Sequence, residues 1–333
     1  MIDLHLHLDG SLSLEDFLYL SKTQNIPLGD DFPNSIYVNK DCKSLLEYLE
    51  KFDLPLKFLQ TEEALEYVTC SLVKRLYSLG YIYAEIRYAP LLHLQKGLAM
   101  DKVVEATIRG LKKGLEGTKD FDANLILCCM RHADEKLNLE TIEMGNRYRN
   151  DKVCAVDLAG GESIHPAPYF ERVFRKAKEY GLNVTIHAGE STTSQEVIDA
   201  INIGAMRIGH GVHLDLNSEN VKKVNDSNVM FEFCPTSNLQ TKSLLKYEDV
   251  PLKKFMDSDI AVCINSDNMT VSNITAIDDM INMIKTFNLT KEEVYKLYEN
   301  GVMHAFINEN ERENLLTLLK VKFNAFFEEK LNA

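Results

Sequence analysis

The sequence predicts an α/β protein whose eight parallel strands close into a (β/α)8 barrel of the TIM type. Short β-rich runs recur eight times, several of them apolar on both faces, and segments with helical spacing lie between most of them. Strands that alternate with helices form right-handed parallel βαβ units. Eight such units fit a closed barrel better than an open sheet, and in a barrel the active site lies at the carboxyl ends of the strands.

The predicted strands all end in polar clusters. They cover Ile2–His7, Tyr81–Tyr88, Asn124–Met130, Val153–Leu158, Asn183–His187, Met206–Gly209, Val229–Phe233 and Ile260–Asn265. Helical spacing is found over Val103–Leu115, Tyr169–Tyr180, Gln195–Ile203 and Leu252–Met256.

Two regions exceed a minimal barrel. Roughly seventy residues separate the first two strands, so we expect extra helices there. After Asp267 the chain reads as helical, and Thr290 with Glu293 matches a capping box. No linker or low-complexity tract interrupts the chain, which favours one domain over residues 1–333.

Composition limits the classes of function. With 37 Lys and Arg against 50 Asp and Glu, the formal charge of −13 argues against a nucleic-acid partner. No apolar run approaches the roughly 20 residues of a membrane helix, so no membrane partner is expected. The first ten residues lack the pattern of a secretory signal, which indicates a cytoplasmic protein. Seven cysteines without a C-x-x-C pair are expected to be reduced core residues.

Histidines and one aspartate at strand ends suggest a metal site. His5 and His7 are two apart in a strand, so their side chains share a face. Alone this pair is weak evidence for a metal, because surface or core histidines on any strand face show the same spacing. His187 and Asp267 end the fifth and eighth strands, however, and three imidazoles with one carboxylate suit Zn²⁺ with a position left for water. Ligands from separate strands can converge only at the barrel mouth.

Two further side chains are candidates for proton chemistry. Glu190 follows His187 by three residues, where a second carboxyl can face a substrate as a proton donor; the alternative is that it begins the following helix. His210 ends the sixth strand between Gly209 and Gly211, which we expect to let both backbone and substrate approach closely. A satisfied core histidine is the other interpretation of His210.

Motifs in the same order at these strand ends resemble the adenosine deaminase family of the metal-dependent amidohydrolase barrels. The resemblance runs nearly end to end. It is carried by HLHLDG at 5–10, LLEYLEKFD at 45–53, EIRYAP at 85–90, ILCCMRH at 126–132, DLAGGE at 157–162, HAGE at 187–190, IGHG at 208–211, CPTSN at 234–238 and NSDN at 265–268.

The resemblance implies a role for each matching residue. His5, His7, His187 and Asp267 match the zinc ligands, Glu190 the acid that protonates purine N1, and His210 the residue that orients the attacking hydroxide. Asp9 matches a contact to the ribose 5′-hydroxyl and Gly160 a backbone amide at N3. An apolar lid over the substrate is implied for Leu45, Tyr48, Leu49 and Phe52, which share one helix face. The family commonly has a second aspartate where this chain has Asn268. We expect the neutral amide of Asn268 to donate a hydrogen bond to N7 in place of the aspartate. The alternative is that Asn268 shapes the loop after the eighth strand, since asparagine is a common turn residue.

The expected activity is zinc-dependent deamination of adenosine and deoxyadenosine to inosine and deoxyinosine, with release of ammonia, in purine salvage. A deaminase of adenine or another 6-aminopurine, and a non-catalytic purine-binding protein, remain alternatives. Asp9 favours the nucleoside, because its carboxylate would repel a 5′-phosphate and has no purpose toward a free base. His93, His165, His213 and His304 are expected to be structural or exposed to solvent, and a buried ionic network is at least as good an interpretation of Glu85, Arg87 and Arg131 as a role in the site.

Overall fold

A computed structural model describes residues 1–39 and 42–331 of the chain. Its eight strands are β1 Ile2–His7, β2 Tyr83–Tyr88, β3 Asp122–Met130, β4 Val153–Ala159, β5 Asn183–Ala188, β6 Arg207–His210, β7 Met230–Phe233 and β8 Val262–Ile264. Each lies within two residues of the predicted bounds.

Successive strands pair in parallel and in chain order from β1 to β8. The barrel is completed between β8 and β1 by residues of the candidate site. Leu6 bridges Asp267, the His7 N–H donates to the Asp267 carbonyl at 2.7 Å, and the Asp267 N–H donates to the His5 carbonyl at 2.8 Å. The predicted (β/α)8 fold is confirmed, and the closure itself fixes three of the four predicted metal ligands side by side.

Helices lie in the connections between the strands and in the chain after β8. They are α1 Leu14–Gln24, α2 Leu45–Leu49, α3 Asp53–Phe58, α4 Glu62–Ser78, α5 Met100–Leu115, α6 Glu135–Tyr148, α7 Glu171–Glu179, α8 Ser194–Asn202, α9 Ser218–Asp226, α10 Pro235–Gln240, α11 Leu252–Asp257, α12 Ala276–Phe287, α13 Lys291–His304 and α14 Glu309–Phe326. The predicted helix at Tyr169 begins two residues later, because Ala167–Phe170 first form a 3-10 turn after Pro166.

The extra helices lie where the sequence predicts them. Helices α1 to α4 occupy the long connection between β1 and β2, and α12 to α14 follow β8. The predicted capping box is present, with the Thr290 hydroxyl accepting from the Glu293 N–H at 3.2 Å and the Glu293 carboxylate accepting from the Thr290 N–H at 2.8 Å. The assignment of residues 1–333 to one domain stays a prediction. Four residues of that range, Lys40, Asp41, Asn332 and Ala333, lie outside the described residues.

Apolar side chains from all eight strands and most helices form one main core. All seven cysteines are free, and all but the half-buried Cys154 are buried, as expected for core thiols. Within residues 1–39 and 42–331, none of the helices is both long and apolar enough to cross a membrane.

Candidate active site

A cavity of about 320 Å³ opens at the carboxyl ends of the strands. This volume is at the lower end of the range typical for small-molecule pockets, about 300–1,000 Å³. The cavity is lined by all but one of the predicted site residues, namely His7, Asp9, Leu45, Tyr48, Leu49, Phe52, Gly160, His187, Glu190, His210, Asp267 and Asn268. The exception, His5, is completely buried and belongs to the same ligand cluster as His7, His187 and Asp267.

Four potential metal ligands converge at the floor of this cavity. Nε2 of His5 lies 3.5 Å from Asp267 Oδ1, and Nε2 of His7 lies 3.4 Å from the same oxygen and 3.3 Å from His187 Nε2. A tetrahedron with metal–ligand bonds of about 2.1 Å has edges of about 3.4 Å, so these separations match a single ion. His5 Nε2 is buried without a hydrogen-bond partner, which is the state of a nitrogen that requires a ligand. The residues therefore fit a divalent metal.

The ionisation states also suit metal binding. Burial lowers the pKa of His5 to about 4 and holds the pKa of His7 well below its usual value, so both imidazoles are neutral. Burial opposes ionisation of Asp267, but the polar contacts with the neighbouring His5, His7 and His210 outweigh it and lower the pKa of this carboxyl. Neutral imidazoles and an ionised carboxylate are the forms in which these side chains bind metals.

Two buried carboxylates orient the histidine ligands from behind. Glu232 on β7 lies 2.8 Å from Nδ1 of His5, and Asp157 on β4 lies 3.1 Å from Nδ1 of His187. Arg87 on β2 joins the two, at 2.9 Å from Asp157 and 2.8 Å from Glu232. Each contact directs the proton of the histidine to Nδ1 and leaves Nε2 free to bind a metal.

Sequence reasoning assigned no role to Asp157 or Glu232. Both are lone charges inside apolar strand runs, and that was an available signal, because such a charge is rarely buried without a partner. Of the charges that were singled out, Arg87 and Glu85 do belong to a buried network that includes Arg207 and Glu232. Arg131 pairs instead with Glu196 and donates to the His187 carbonyl at 2.7 Å.

Backbone strain marks the ends of β6 and β8. His210 has a φ of 62° and Asp267 a φ of 60°, in the left-handed region that residues other than glycine rarely adopt. Hydrogen bonds hold both side chains, since Ser237 donates to Asp267 Oδ2 at 2.6 Å and the Asn238 amide lies 3.1 Å from His210 Nδ1. The strain is stored at the residues that face the cavity, as is common at functional sites.

Glu190 faces the cavity from the loop after β5. Its carboxylate lies 3.8 Å from His210 Nε2, and burial raises its pKa, so this group stays protonated to higher pH than an ordinary glutamate. A second carboxylate holds the loop in place, because Glu162 accepts from the N–H groups of Glu190 and Ser191 at 3.0 and 3.1 Å and from the Thr192 hydroxyl at 2.6 Å. Glu162 lies in the quoted DLAGGE motif, but its anchoring role was not predicted.

Asp9 follows β1 in a 3-10 turn and lines the cavity. Its side chain is 5% exposed, and its Oδ1 is buried without a hydrogen-bond partner. Burial raises its pKa to about 7. Gly160, Gly161 and His132 also line the cavity. His132 is the last residue of the quoted ILCCMRH motif, but it was assigned no role from the sequence.

The four predicted lid residues line the cavity together, but they do not form one continuous α-helix. Helix α2 ends at Leu49, and Glu50–Phe52 form a 3-10 turn before α3. The prediction of a single helix is wrong. Residues spaced i, i+3, i+4 and i+7 can line the same cavity from one α-helix or from a short α-helix followed by a 3-10 turn, so the spacing does not distinguish the two. Tyr48 is buried, whereas Leu45, Leu49 and Phe52 are half-buried.

Asn268 lines the cavity beside Asp267, and its amide nitrogen donates to the Tyr48 hydroxyl at 2.9 Å. Its carbonyl oxygen packs against Gly10, where a Cβ would lie 1.9 Å from it. Gly209 and Gly211, in contrast, make room for the protein rather than for a substrate. A Cβ on Gly209 would lie 2.8 Å from His5 Cε1, and one on Gly211 would lie 2.3 Å from Phe231 Cδ1.

The four remaining histidines engage the protein outside the cavity. His93, His213 and His304 contact the backbone carbonyls of Leu59, Gly189 and Asn300 at 2.8, 3.1 and 2.9 Å. His165 stacks on Tyr169. These contacts agree with structural roles.

Comparison with known proteins places this site in a family. The family model described as adenosine deaminase matches residues 1–322. Adenosine deaminases of Clostridium botulinum and Haemophilus ducreyi are each 40% identical to the chain, covering 94% and 97% of it and 96% of each relative.

Solved structures show the same fold at lower identity. Adenine deaminase from Arthrobacter aurescens superposes with a TM-score of 0.88 at 23% identity, covering 97% of this chain and 98% of its own. A zinc-bound amidohydrolase from Burkholderia ambifaria superposes with a TM-score of 0.89 at 17% identity, covering 100% and 92%. The fold, the metal-binding geometry and the full-length matches lead to one conclusion: the chain belongs to the adenosine deaminase family.

Proposed function

We propose that this chain is a zinc-dependent enzyme that deaminates adenosine and 2′-deoxyadenosine to inosine and 2′-deoxyinosine, releasing ammonia in purine salvage. The observation that carries the proposal is the set of ligand separations of 3.3–3.5 Å at the floor of a cavity that is also lined by the buried carboxyl of Glu190. Family membership and the two 40% identical relatives named adenosine deaminase support the same activity.

His5, His7, His187 and Asp267 would hold the metal. A zinc ion bound there would lower the pKa of a coordinated water to about 7 and so supply a nucleophile at neutral pH. Neutral nitrogens and one carboxylate suit zinc, although other divalent ions accept such mixed sites. The zinc-bound neighbour from Burkholderia ambifaria is consistent with this choice of metal.

The chain's own residues would divide the proton transfers. Asp267 is an ionised carboxylate and can accept the proton that the attacking water gives up. His210, held through Nδ1 by Asn238, presents Nε2 to the cavity and orients that water. Glu190 donates a proton to N1 as electrons move onto the ring, which stabilises the tetrahedral adduct. The proton taken up by Asp267 then passes to the amino group, which leaves as ammonia, and C6 becomes a carbonyl as its hydroxyl returns a proton to Glu190.

Substrate recognition is assigned to the remaining lining residues. Asp9 would accept a hydrogen bond from a ribose hydroxyl through its unpartnered Oδ1, and the Gly160 N–H would meet N3. Leu45, Tyr48, Leu49 and Phe52 would cover the ribose and base. The second N–H of the Asn268 amide would donate to N7, because the first is used by Tyr48.

The lining favours a nucleoside over a nucleotide. Within the described residues no Lys or Arg lines the cavity, whereas Asp9, Asp53 and Asp267 do. Phosphate recognition normally relies on Arg, Lys or helix N-termini, so this acidic lining would repel a 5′-phosphate. The unpartnered oxygen of Asp9 likewise favours a ligand with a hydroxyl group over free adenine.

A substrate panel tests the proposal. Ultraviolet-monitored turnover of adenosine, 2′-deoxyadenosine, adenine and AMP is measured on one sample whose metal content is also determined. We expect both nucleosides to be deaminated, with a far higher kcat/KM than adenine or AMP. Preference for adenine or AMP would favour those substrates instead, and no ammonia from a zinc-loaded sample would indicate a purine-binding protein without catalysis.

A further inference from the structure

The lid is tied to the rest of the cavity at one polar point. Tyr48 is the buried residue of α2, and its hydroxyl lies 2.6 Å from the Ser272 hydroxyl and 2.9 Å from the Asn268 amide nitrogen. Both partners belong to the segment that follows β8, so the contact joins the long connection after β1 to the loop after the last strand. All three side chains are at most 4% exposed, where a hydrogen bond is not exchanged for one to water.

The apolar contacts of this part of the lid are few. Tyr48 belongs to a small cluster with Cys42 and Val271, against which Val38 and Phe52 pack, and this cluster is separate from the main core. The lid therefore lacks the extensive packing that fixes the barrel helices. A buried polar contact contributes a larger share of its stability than it would in the main core.

Asn268 is held on two sides. Its Cγ and Oδ1 press against Gly10, so closely that a Cβ at Gly10 would lie 2.6 and 1.9 Å from them, and its Nδ2 donates to Tyr48. With the amide plane fixed in this way, one N–H is bound to the lid and the orientation of the other is determined. The same side chain lines the cavity.

We propose that Tyr48 is a positioning residue that couples lid closure to base recognition through the amide of Asn268. When Tyr48 docks, it fixes the amide so that the remaining N–H is directed at a hydrogen-bond acceptor of the bound base, and a base that accepts this N–H favours the docked lid in return. This inference rests on the proposed function in one respect, the assignment of purine N7 as that acceptor.

The test combines one substitution with a pair of ligands. Tyr48→Phe keeps the ring and removes the hydroxyl; Ser272→Ala removes the other hydroxyl partner and serves as a second variant. Tyr88→Phe is the matched control, because its hydroxyl makes an equally buried bond of 2.7 Å to Thr107 and does not line the cavity. Zinc-loaded samples are used throughout.

The first measurement is amide hydrogen exchange of residues 44–53 without ligand. We expect the lid to exchange about fivefold faster in Tyr48→Phe, the effect of losing one neutral hydrogen bond, and at the wild-type rate in Tyr88→Phe. Unchanged exchange in both Tyr48→Phe and Ser272→Ala would overturn the proposal whatever the substrate of the enzyme is.

The second measurement is the Kd for inosine and for 7-deazainosine, which lacks the N7 acceptor. Tyr48→Phe should weaken inosine binding about fivefold and change 7-deazainosine binding less than twofold. Equal weakening of both, or no weakening of inosine, would overturn the coupling. If the wild type bound neither ligand, the proposed nucleoside function would fail, while the exchange measurement would still decide whether Tyr48 ties the lid.

Discussion

The two walls of the cavity are built in opposite ways. On the metal-binding wall, three of the four candidate ligands are held by a further side chain: His5 by Glu232, His187 by Asp157, and Asp267 by Ser237. On the lid wall, Leu45, Leu49 and Phe52 are half-buried and only Tyr48 is anchored by hydrogen bonds. This difference is what the proposed function requires, namely reactive groups in fixed positions and a surface over the substrate that can move.

Removing a ligand from the fixed wall should have the largest effect. His187→Ala leaves three ligands and an unpaired Asp157, so we expect loss of most of the bound metal and of nearly all activity together. Metal analysis and adenosine turnover on the same sample measure both. Full metal occupancy in this variant would show that His187 is not a ligand.

The next largest effect is expected at Glu190, which supplies a proton rather than holding the metal. Glu190→Gln should keep the metal and substrate affinity but lower kcat by about 10²–10⁴, because an amide cannot protonate N1. A loss confined to KM would make Glu190 a binding residue.

The pH profile provides a second test of Glu190. The active form is protonated, and burial raises its pKa, so wild-type kcat/KM should fall as the pH rises through that raised pKa. Activity that instead fell toward acid with the pKa of an ordinary glutamate would contradict the assignment of Glu190 as the acid.

A smaller effect is expected from the layer behind the ligands. Asp157→Asn keeps the shape but weakens the contact that fixes His187, and such changes typically lower metal affinity about 10–100-fold. Competition with a chelator measures this affinity. Asp16→Asn is a suitable control, since Asp16 is a buried carboxylate that caps α1. Equal metal affinity in Asp157→Asn and the wild type would show that the fixed wall does not depend on Asp157.

The smallest effect is expected on the mobile wall. Phe52→Ala should raise KM for adenosine a few-fold with little loss of stability, because Phe52 is half-buried and packs on the small lid cluster. Phe323 lies on α14 and belongs to the main core of the protein. Phe323→Leu should therefore lower the melting temperature and leave KM for adenosine unchanged. A Phe52→Ala variant that lost stability at unchanged KM would remove the distinction between the two walls.

The two walls also differ in how far the sequence predicted them. Ligands at strand ends are predictable, because the barrel brings those ends to one mouth whatever the loops do; His5, His7, His187 and Asp267 were identified in this way. Asp157 and Glu232 were not, since a charge within a strand does not reveal which neighbour it faces until the register across several strands is known.

The lid was predicted from resemblance and helical spacing, and its local structure differs from the prediction. The α-helix ends at Leu49 and continues as a 3-10 turn, and Tyr48 contacts Asn268 and Ser272, which are more than 200 residues away in sequence. The role of Glu162 was missed for a similar reason, because its partners at Glu190 to Thr192 follow another strand. Contacts between distant loops leave no periodic pattern in a sequence.

The proposed single metal site is tested most directly by a titration of metal-free enzyme with zinc. After removal of metal by a chelator, adenosine turnover should be absent and should return in proportion to added Zn²⁺, reaching a plateau at one ion per chain. His187→Ala should not recover under the same conditions. Full turnover by the metal-free wild type, or a plateau that requires two ions per chain, would contradict a single metal site formed by His5, His7, His187 and Asp267.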